Sequence, residues 1–224
     1  RYGTVTGVQT CALPIYHALT LIVSDAGLDS EWVRTQQQVA EQQGQGWAVL
    51  ELRATGRTAV SGDRIGKAPD HNSAEWSLWL GRPLAGQWVR DIRLSARQLQ
   101  QQVPCGSVRV TAAGAGSFAA LAATALDERL VAADITGLLS TWVSDQPYRE
   151  QRLANIIPGV LRDVGDMQHI VALVSPRELS LRAPVSPQGE VLNAAAAAAA
   201  FSNLPAAWQS HPQHLTITAD TAGK

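Results

Sequence analysis

The sequence is poor in the residues and patterns that define several protein classes. It has two cysteines in 224 residues, Cys11 and Cys105, and neither lies in a CxxC or Cys/His pattern. Neither a disulfide-stapled fold nor a metal site is therefore predicted, and no cofactor-binding pattern is present. The net charge is -1, with no basic stripe, which argues against a nucleic-acid partner. The longest strongly apolar run, Ala18–Val23, is far shorter than the roughly 20 residues of a membrane span, so no membrane partner is expected.

Residues 1–15 differ in character from the rest of the chain. The run RYGTVTGVQTCALPI resembles translated sequencing-library adapter, and it is excluded from functional reasoning in the way that a fusion scar would be. We therefore expect one partial domain over residues 16–224 whose natural N-terminus is missing. The compartment stays open, a secreted or periplasmic location included.

From Tyr16 onward, strand and helix patterns alternate. Hydrophobic residues make up 46% of the chain, which is enough for a substantial core. Short β-branched or apolar runs predict strands at His17–Ser24, Trp47–Leu52, Val108–Ala112, Leu130–Leu139, a stretch leading from His169–Val174 to Leu179–Leu181, and His214–Thr218. Amphipathic or alanine-rich stretches predict helices at Ser30–Gln43, Ser73–Gln102 with a break at Gly81–Pro83, Ser117–Leu126, and Glu190–Trp208 with a break near Pro205. This alternation predicts an α/β fold with a mostly parallel sheet and helices on both faces.

A segment in the middle of the chain carries the pattern most relevant to chemistry. The strand from Val108 enters a turn of small residues and then an alanine-rich helix. This is the context of the G-x-S-x-G nucleophile elbow, in which a strained central residue needs small neighbours. Here the five positions, residues 112–116, read Ala-Ala-Gly-Ala-Gly.

At this point the sequence resembles the acetyl xylan esterase and dienelactone hydrolase branch of the α/β-hydrolases. The supporting motifs are Glu51–Thr58, Leu80–Gln87 followed by Asp91, Ala125–Arg129, Pro158–Leu161 and Ser175–Leu179. The resemblance spans roughly Tyr16 to Lys224 and implies an α/β-hydrolase fold that is truncated at the N-terminus and at the C-terminus. It also implies hydrolysis of carboxylic esters such as acetylated carbohydrate.

The resemblance also places the nucleophile, about thirteen residues before the Asp of the Ala-Leu-Asp-x-Arg run. Counting back from Asp127 gives Gly114, which has no side chain to attack a carbonyl. Loss of a triad serine costs about 10⁶-fold in turnover in serine proteases. The alternative register uses Ser117, which would place Phe118 inside the tight turn; the other interpretation of Ser117 is a helix N-terminal residue whose hydroxyl satisfies free amides.

The remaining triad members also depart from the family pattern. The acid is implied near Pro187, where Glu190 is the nearest carboxylate, and the histidine is implied after the last strand. His211 and His214 lie before or at the start of that strand, on the wrong side. The resemblance does leave oxyanion-hole-like donors, with one amide at Ala115 and a second in the turn that contains Ala26.

Other polar and aromatic residues have two interpretations each. In the loop of residues 53–72, a metal role for Asp63, Asp70 and His71 is less favoured than a solvated loop. Asp166 and His169 are expected to form a helical surface pair, and Arg82 and Arg177 structural ion pairs. Trp76, Trp79 and Trp88 are assigned to packing, with carbohydrate stacking as the alternative.

Three functional hypotheses follow. The favoured one is a degenerate, catalytically inactive esterase-like domain that binds a small ester or carbohydrate ligand, or pairs with an active hydrolase domain of a parent protein. The alternative is an active serine esterase that uses Ser117 with a base such as His211 or His214. The third is a purely structural domain, with tryptophans packed where substrate would sit.

Overall fold

The centre of the molecule is a seven-stranded sheet. The computed structural model describes residues 8–10, 18–102, 107–149 and 152–219. The strands are β1 (Val8–Thr10), β2 (Ala18–Ser24), β3 (Gly46–Glu51), β4 (Ser107–Ala113), β5 (Leu130–Thr136), β6 (Glu178–Arg182) and β7 (Leu215–Thr218). They lie in the order β1-β3-β2-β4-β5-β6-β7. All neighbours from β3 to β7 are parallel, and β1 pairs antiparallel with β3. The mostly parallel α/β sheet expected from the sequence is confirmed.

Helices connect the parallel strands. They are α1 (Glu31–Gln42), α2 (His71–Trp79), α3 (Leu84–Gln102), α4 (Gly116–Leu126), α5 (Val160–Asp163), α6 (Met167–Ala172), α7 (Ala194–Ala200) and α8 (Leu204–Ala207). Ser30 caps α1 because its hydroxyl accepts a hydrogen bond from the Val33 amide at 3.3 Å. In the part of the chain that the structure describes, no helix is both long and apolar enough to span a bilayer.

One face of the sheet carries the main hydrophobic core. Apolar side chains of β2 to β6 meet α3 and α4 there, and Trp88 is completely buried among them. Its indole N–H donates to the Arg53 carbonyl oxygen at 2.9 Å, so its polar atom is satisfied inside the core. Nine residues of α4 are buried, from Gly116 to Thr124, which explains why this helix is made of small and apolar residues.

The other face changes from apolar to polar across the sheet. Under α1, Ile22 and Val49 form a second, small core. Ile22 and Val49 are cross-strand neighbours, and the same row continues through Thr111 on β4, Asp134 on β5 and Ser180 on β6. Helices therefore lie on both faces, but α1 covers its face only over β2 and β3 in the described residues, and polar side chains occupy the rest.

Strand β1 lies within the segment that resembles adapter sequence, for which no element was predicted. Val8–Thr10 pairs with Ala48–Leu50 at the edge of the sheet. An edge strand offers unpaired N–H and C=O groups to any short extended segment. The pairing therefore does not distinguish native from foreign sequence, and the adapter origin stays a prediction.

Two predicted elements differ from those observed. His169–Val174 was expected to lead into the fifth strand, but Met167–Ala172 is helix α6, which begins because Asp166 caps it. The helix predicted over Glu190–Trp208 begins only at Ala194, where the Asn193 side chain accepts from the Ala196 amide at 2.9 Å, and it divides into α7 and α8. In both regions a cap set the boundary, which the apolar pattern alone does not show.

Cys11, Cys105 and the residues after 219 lie outside the described residues.

Candidate active site

The candidate site lies at the carboxyl edge of the sheet. Asp25 follows β2, Gly114 follows β4 and Gly137 follows β5. The segment after β6 reaches the same edge and contributes Val185 and Gly189 to a shared cavity. Parallel α/β sheets bind their ligands at this edge, so the location agrees with the predicted position of the elbow.

The turn between β4 and α4 has the geometry of an elbow. Gly114 lies at its tip with φ of +58°, a left-handed conformation that costs residues with a Cβ energy. Ala115 follows in helical conformation, and α4 begins at Gly116. A Cβ at Gly116 would meet Val23 Cγ1 at 3.3 Å and Leu52 Cδ1 at 3.5 Å. The small residues of the turn are therefore required by its backbone conformation and by the close packing of α4 against the sheet.

A carboxylate occupies the position in front of the elbow. The backbone N–H of Ala115 donates to Asp25 Oδ2 at 3.2 Å. A Cβ built on Gly114 would lie 3.4 Å from Asp25 Oδ2 and 3.5 Å from Oδ1. Arg152 Nε lies 3.7 Å from the same Oδ2, forming an ion pair in which both side chains are partly exposed. The Asp25 carboxylate thus takes the hydrogen bond that an oxyanion-hole amide would offer to a substrate.

The second oxyanion-hole-like amide is also engaged within the chain. The Ala26 N–H donates to Ser24 Oγ at 3.2 Å, and the Ser24 hydroxyl donates to the Gly27 carbonyl oxygen at 2.9 Å. These bonds fix the turn after β2. Both predicted donors, Ala115 and Ala26, are therefore hydrogen-bonded to side-chain oxygens of this turn.

A cavity of about 310 Å³ opens beside Gly114. Its walls combine glycine backbones, apolar side chains and three polar residues, namely Asp25, Pro69, Gly114, Ala115, Gly137, Arg152, Asn155, Val185 and Gly189. Asn155 is only 7% exposed, and its Oδ1 has no hydrogen-bond partner within the described part of the chain. Among the residues that the structure describes, neither a histidine nor a tryptophan lines this cavity.

The segment that carries Arg152 and Asn155 is held over the elbow by a buried aspartate. Asp70 is completely buried, and its two oxygens accept the backbone N–H groups of Leu153 at 2.9 Å and Ala154 at 3.0 Å. Asp63 is also buried, and its Oδ1 accepts the Ser73 N–H at 2.6 Å. The expectation of a solvated loop is therefore wrong for both aspartates. Backbone amides bind both oxygens of Asp70 and Oδ1 of Asp63, whereas Asp63 Oδ2 is buried without a hydrogen-bond partner within the described residues. Among the described residues, no cluster of three or more His, Cys, Asp or Glu side chains suits a metal ion.

Ser117, the alternative nucleophile, lies inside the first turn of α4. It is 1% exposed, and its hydroxyl donates to the Thr136 carbonyl oxygen at 2.6 Å. The hydroxyl therefore bonds the neighbouring strand instead of the free amides of the helix N-terminus that were expected to be its partners. Ser117 faces a cavity of only about 10 Å³, closed by Phe118 and Trp142, whose ring centroids lie 5.4 Å apart.

The histidines predicted as bases lie at the amino ends of the parallel strands, whereas the candidate site lies at their carboxyl ends. His211 and His214 immediately precede β7, and their rings stack with centroids 5.0 Å apart. His214 Nδ1 lies 2.8 Å from the carbonyl oxygen of Pro176, just before β6. Glu190 is exposed in the loop after β6. The structure does not bring these three residues together with Ser117.

Several residues of the family-like motifs stabilise the fold through hydrogen bonds between its elements. Arg53 Nε donates to Asp91 Oδ2 at 2.6 Å, which links the strand-β3 motif to α3. Asp127, just after α4, accepts from Arg93 at 3.3 Å and from Arg129 at 2.7 Å. Burial acts to raise the pKa of Asp127, but the hydrogen bonds from Arg129 and Arg93 outweigh burial and lower that pKa below its ordinary value.

The arginines expected to form ion pairs act differently. The Arg177 guanidinium donates to main-chain carbonyl oxygens at the C-terminal end of α4, at Thr124, Ala125 and Asp127, and so satisfies free carbonyls. Within the described residues Arg82 belongs to no ion pair. The ion-pair expectation is wrong for both.

Asp166 and His169 form the expected pair, at the start of α6, where His169 Nδ1 accepts the Asp166 N–H at 3.0 Å. The Asp166 carboxylate in addition accepts the amides of Trp142 and Met167, each at 2.8 Å. Trp88 packs in the core as expected, whereas Trp76 and Trp79 are 55% and 72% exposed on α2.

Sequence reasoning missed the side chains of Asp25, Arg152 and Asn155. For the turn after the first strand, the sequence predicts only backbone donors. An acidic residue directly after a buried parallel strand was nevertheless a usable signal, because the carboxyl ends of such strands meet at the ligand edge. Arg152 and Asn155 had no comparable signal, since they lie in a long connection whose path depends on Asp70.

The comparisons with known proteins concern the fold. No protein-family model and no curated protein matches the chain. Among solved structures, a Bacteroides fragilis protein described as an acetyl xylan esterase is similar with a TM-score of 0.65 at 13% identity, covering 96% of this chain and 60% of that one. The methylesterase BT1017 is similar with a TM-score of 0.65 at 13% identity, covering 96% and 46%. The catalytic domain of a Hypocrea jecorina glucuronoyl esterase has a TM-score of 0.58 at 13% identity, covering 96% and 64%.

These likenesses, together with the topology, show that the chain has the α/β-hydrolase fold. The neighbours are esterase-like proteins, and the chain spans about half to two thirds of the length of these three. Identity this low shows the fold and does not transfer an activity.

Proposed function

We propose that this chain is a non-catalytic, esterase-like domain that binds a small ligand, such as a carbohydrate, in the cavity beside the elbow. The observation that carries the proposal is a glycine at the tip of the elbow, Gly114, together with a carboxylate, Asp25, that binds the adjacent amide. The tip of the elbow has no side chain to form an acyl intermediate, and the Ala115 amide donates to Asp25 Oδ2 at 3.2 Å. An ester carbonyl would therefore meet neither a nucleophile nor a free oxyanion-hole donor.

The environment of Ser117 argues against the active-esterase alternative. A serine nucleophile needs a base within about 2.6–3.2 Å and access to substrate. The Ser117 hydroxyl is buried and already donates to the Thr136 carbonyl oxygen, and no histidine of the described part of the chain lines either cavity beside Gly114. The proton of this hydroxyl is thus directed at a main-chain carbonyl, which cannot act as a base.

The cavity favours a binding role over a purely structural one. The structural hypothesis requires tryptophans to fill the place of the substrate. The polar residues that line the 310 Å³ cavity are instead Asp25, Arg152 and Asn155, and no tryptophan is among its lining residues in the described ranges. Its volume lies at the lower end of the roughly 300–1,000 Å³ of small-ligand pockets.

Hydrolysis of p-nitrophenyl acetate by the chain from Tyr16 tests the proposal. We expect no turnover above background in the native chain, in Ser117→Ala or in Gly114→Ser, because neither serine has a histidine base in its cavity among the residues that the structure describes. Turnover by the native chain that disappears in Ser117→Ala would contradict the proposal and identify a serine esterase. An Arg90→Ala variant on the exposed side of α3 serves as the matched control for effects of substitution alone.

A further inference from the structure

A hydrophobic surface lies on helix α2, outside the candidate active site. Trp76, Trp79 and Leu80 follow the three- and four-residue spacing of neighbours on a helix, so they share one face. All three are more than half exposed, whereas the other five of the seven tryptophans are buried or half-buried. Exposed apolar side chains that form one contiguous patch mark a surface for interaction.

The loop before α2 extends this face. Asn72 lies on the same face, one turn before Trp76, and its Nδ2 donates to the Gly62 carbonyl oxygen at 3.0 Å, which places the loop beside the helix. Farther along the loop, Ile65 and Ala68 exchange backbone hydrogen bonds of 3.2 and 3.1 Å around a two-residue turn. We name this surface the α2 patch; its apolar residues are all more than half exposed, namely Val60, Ile65, Trp76, Trp79 and Leu80.

The well-exposed charged residues around the α2 patch are all cations. Within residues 53–82 they are Arg53, Arg57, Arg64, Lys67 and Arg82. Arg57 and Arg53 have carboxylate partners on β3 and α3, but the other three belong to no ion pair within the described residues. The two aspartates of the same segment are buried, and Glu75 is only partly exposed beside His71. The patch therefore carries a local positive charge, although the net charge of the chain is -1.

Indole rings, aliphatic side chains and unpaired cations on one surface together fit an anionic membrane. Tryptophan favours the boundary between water and lipid, because its ring is apolar and its N–H is polar. Lysine and arginine bind anionic headgroups. A second copy that docked through the same patch would bring like charges together. A nucleic acid would leave the aliphatic side chains without partners, and a neutral polysaccharide would leave the cations without partners as well.

We propose that the α2 patch binds the chain peripherally to a membrane surface that contains anionic lipid. The two indole rings and Leu80 insert among the headgroups, and Arg64, Lys67 and Arg82 bind lipid phosphates. Peripheral binding needs no spanning segment, so it is compatible with the short apolar runs that led to the expectation of no membrane partner. It also does not depend on the ligand that the cavity binds.

Cosedimentation of the full chain with sucrose-loaded lipid vesicles tests the proposal. We expect about 100-fold tighter binding to phosphatidylcholine vesicles that contain about 30% phosphatidylserine than to phosphatidylcholine alone, since each of the three unpaired cations contributes about fivefold. A variant with both Trp76→Ala and Trp79→Ala should bind the anionic vesicles about 100-fold more weakly, because each indole contributes about tenfold. Its matched control combines Leu126→Ala and Leu173→Ala, which are similarly exposed apolar residues at the C-terminal ends of α4 and α6, and it should bind as the native chain does.

A second variant separates the charge of the patch from its apolar residues. Lys67→Gln combined with Arg82→Gln should weaken binding to the anionic vesicles by about 25-fold and leave binding to the neutral vesicles unchanged. Arg34→Gln combined with Arg97→Gln makes the same change in net charge at exposed positions of α1 and α3, and it should have little effect.

Absence of binding to the anionic vesicles would overturn the proposal, and so would an equal loss of binding in the matched controls. A dimer that forms without vesicle binding, and that the double tryptophan variant abolishes in sedimentation velocity, would assign the patch to a second copy instead. Binding of single-stranded DNA or of cellulose through the patch, again without vesicle binding, would likewise replace the membrane by that polymer.

Discussion

Replacement of Gly114 by alanine tests the geometry on which the interpretation of the elbow depends. Gly114 has φ of +58°, and an L-residue with a Cβ pays about 1–2 kcal/mol to adopt this left-handed conformation. The new Cβ would lie 3.4 and 3.5 Å from the Asp25 oxygens, which is close to ordinary contact and adds little. We therefore expect Gly114→Ala to lower the free energy of unfolding by about 1–2 kcal/mol.

Urea unfolding followed by tryptophan fluorescence measures this loss. With a slope of about 2–3 kcal/mol per molar urea, the midpoint should fall by roughly 0.3–1 M. Gly86→Ala is the matched control, since Gly86 lies in α3 with no atom within 4 Å of its would-be Cβ and no positive φ. That control should raise stability by up to about 1 kcal/mol, because the unfolded chain loses conformational freedom.

A Gly114→Ala protein as stable as the native chain would refute the left-handed tip, and with it the placement of Gly114 at the nucleophile position. The same substitution in an Asp25→Ala background separates the two contributions. If backbone strain dominates, the loss should be nearly the same in both backgrounds; if contact with the carboxylate dominates, it should largely disappear.

Two further predictions concern the buried carboxylates. Asp127→Asn should destabilise the fold at neutral pH. Hydrogen bonds from Arg129 and Arg93 hold the pKa of Asp127 in the folded state below its ordinary value of 3.8. The difference in the free energy of unfolding between the variant and the native chain should therefore shrink as the pH falls below about 4, as urea unfolding at several pH values would show. The stabilisation by the Asp127 carboxylate is complete above its ordinary pKa and is lost as the pH falls through its lowered folded-state pKa. A difference in unfolding free energy that does not change with pH would contradict this prediction. Asp70→Asn replaces one of the two carboxylate oxygens that accept main-chain N–H groups by an N–H₂ donor. This change should lower the free energy of unfolding in urea by about 1–3 kcal/mol. A variant as stable as the native chain would show that these hydrogen bonds do not hold the segment of Arg152.

Local sequence patterns were sufficient for the elements that position the site. The strand from Val108 was predictable because Val108, Val110 and Ala112 alternate with polar residues at the period of a strand. The turn and the helix after it were predictable because a strained turn favours small residues and because the helix is rich in alanine. The amphipathic pattern placed the start of α1 at Ser30, and the structure has this residue as the cap of the helix. The boundaries of α6 and α7 were not predicted, since short apolar runs fit strand or helix equally and the caps at Asp166 and Asn193 decide between them.

The polar part of the site was not predictable from local patterns. Asp25 and Ala115 are ninety residues apart in sequence, and they meet because β2 and β4 are neighbours in the sheet. The position of Asn155 depends in turn on bonds from its segment to Asp70, which lies in a loop that was expected to be solvated. Contacts of this kind depend on strand order and burial, neither of which a single sequence states directly.

The proposed loss of catalysis and the local stability of the elbow are physically connected. A serine at a left-handed tip costs about 1–2 kcal/mol, which an active enzyme retains because the strain exposes the nucleophile. Once the tip makes no covalent bond, glycine removes this strain, and Asp25 satisfies the Ala115 amide that would otherwise await a substrate. In the proposed non-catalytic domain both features stabilise the elbow and neither supplies what an ester needs for attack, in line with the general conflict between stability and catalytic strain. The Gly114→Ala measurement gives the same quantity, because the loss in the free energy of unfolding is the strain that any side chain at the tip introduces.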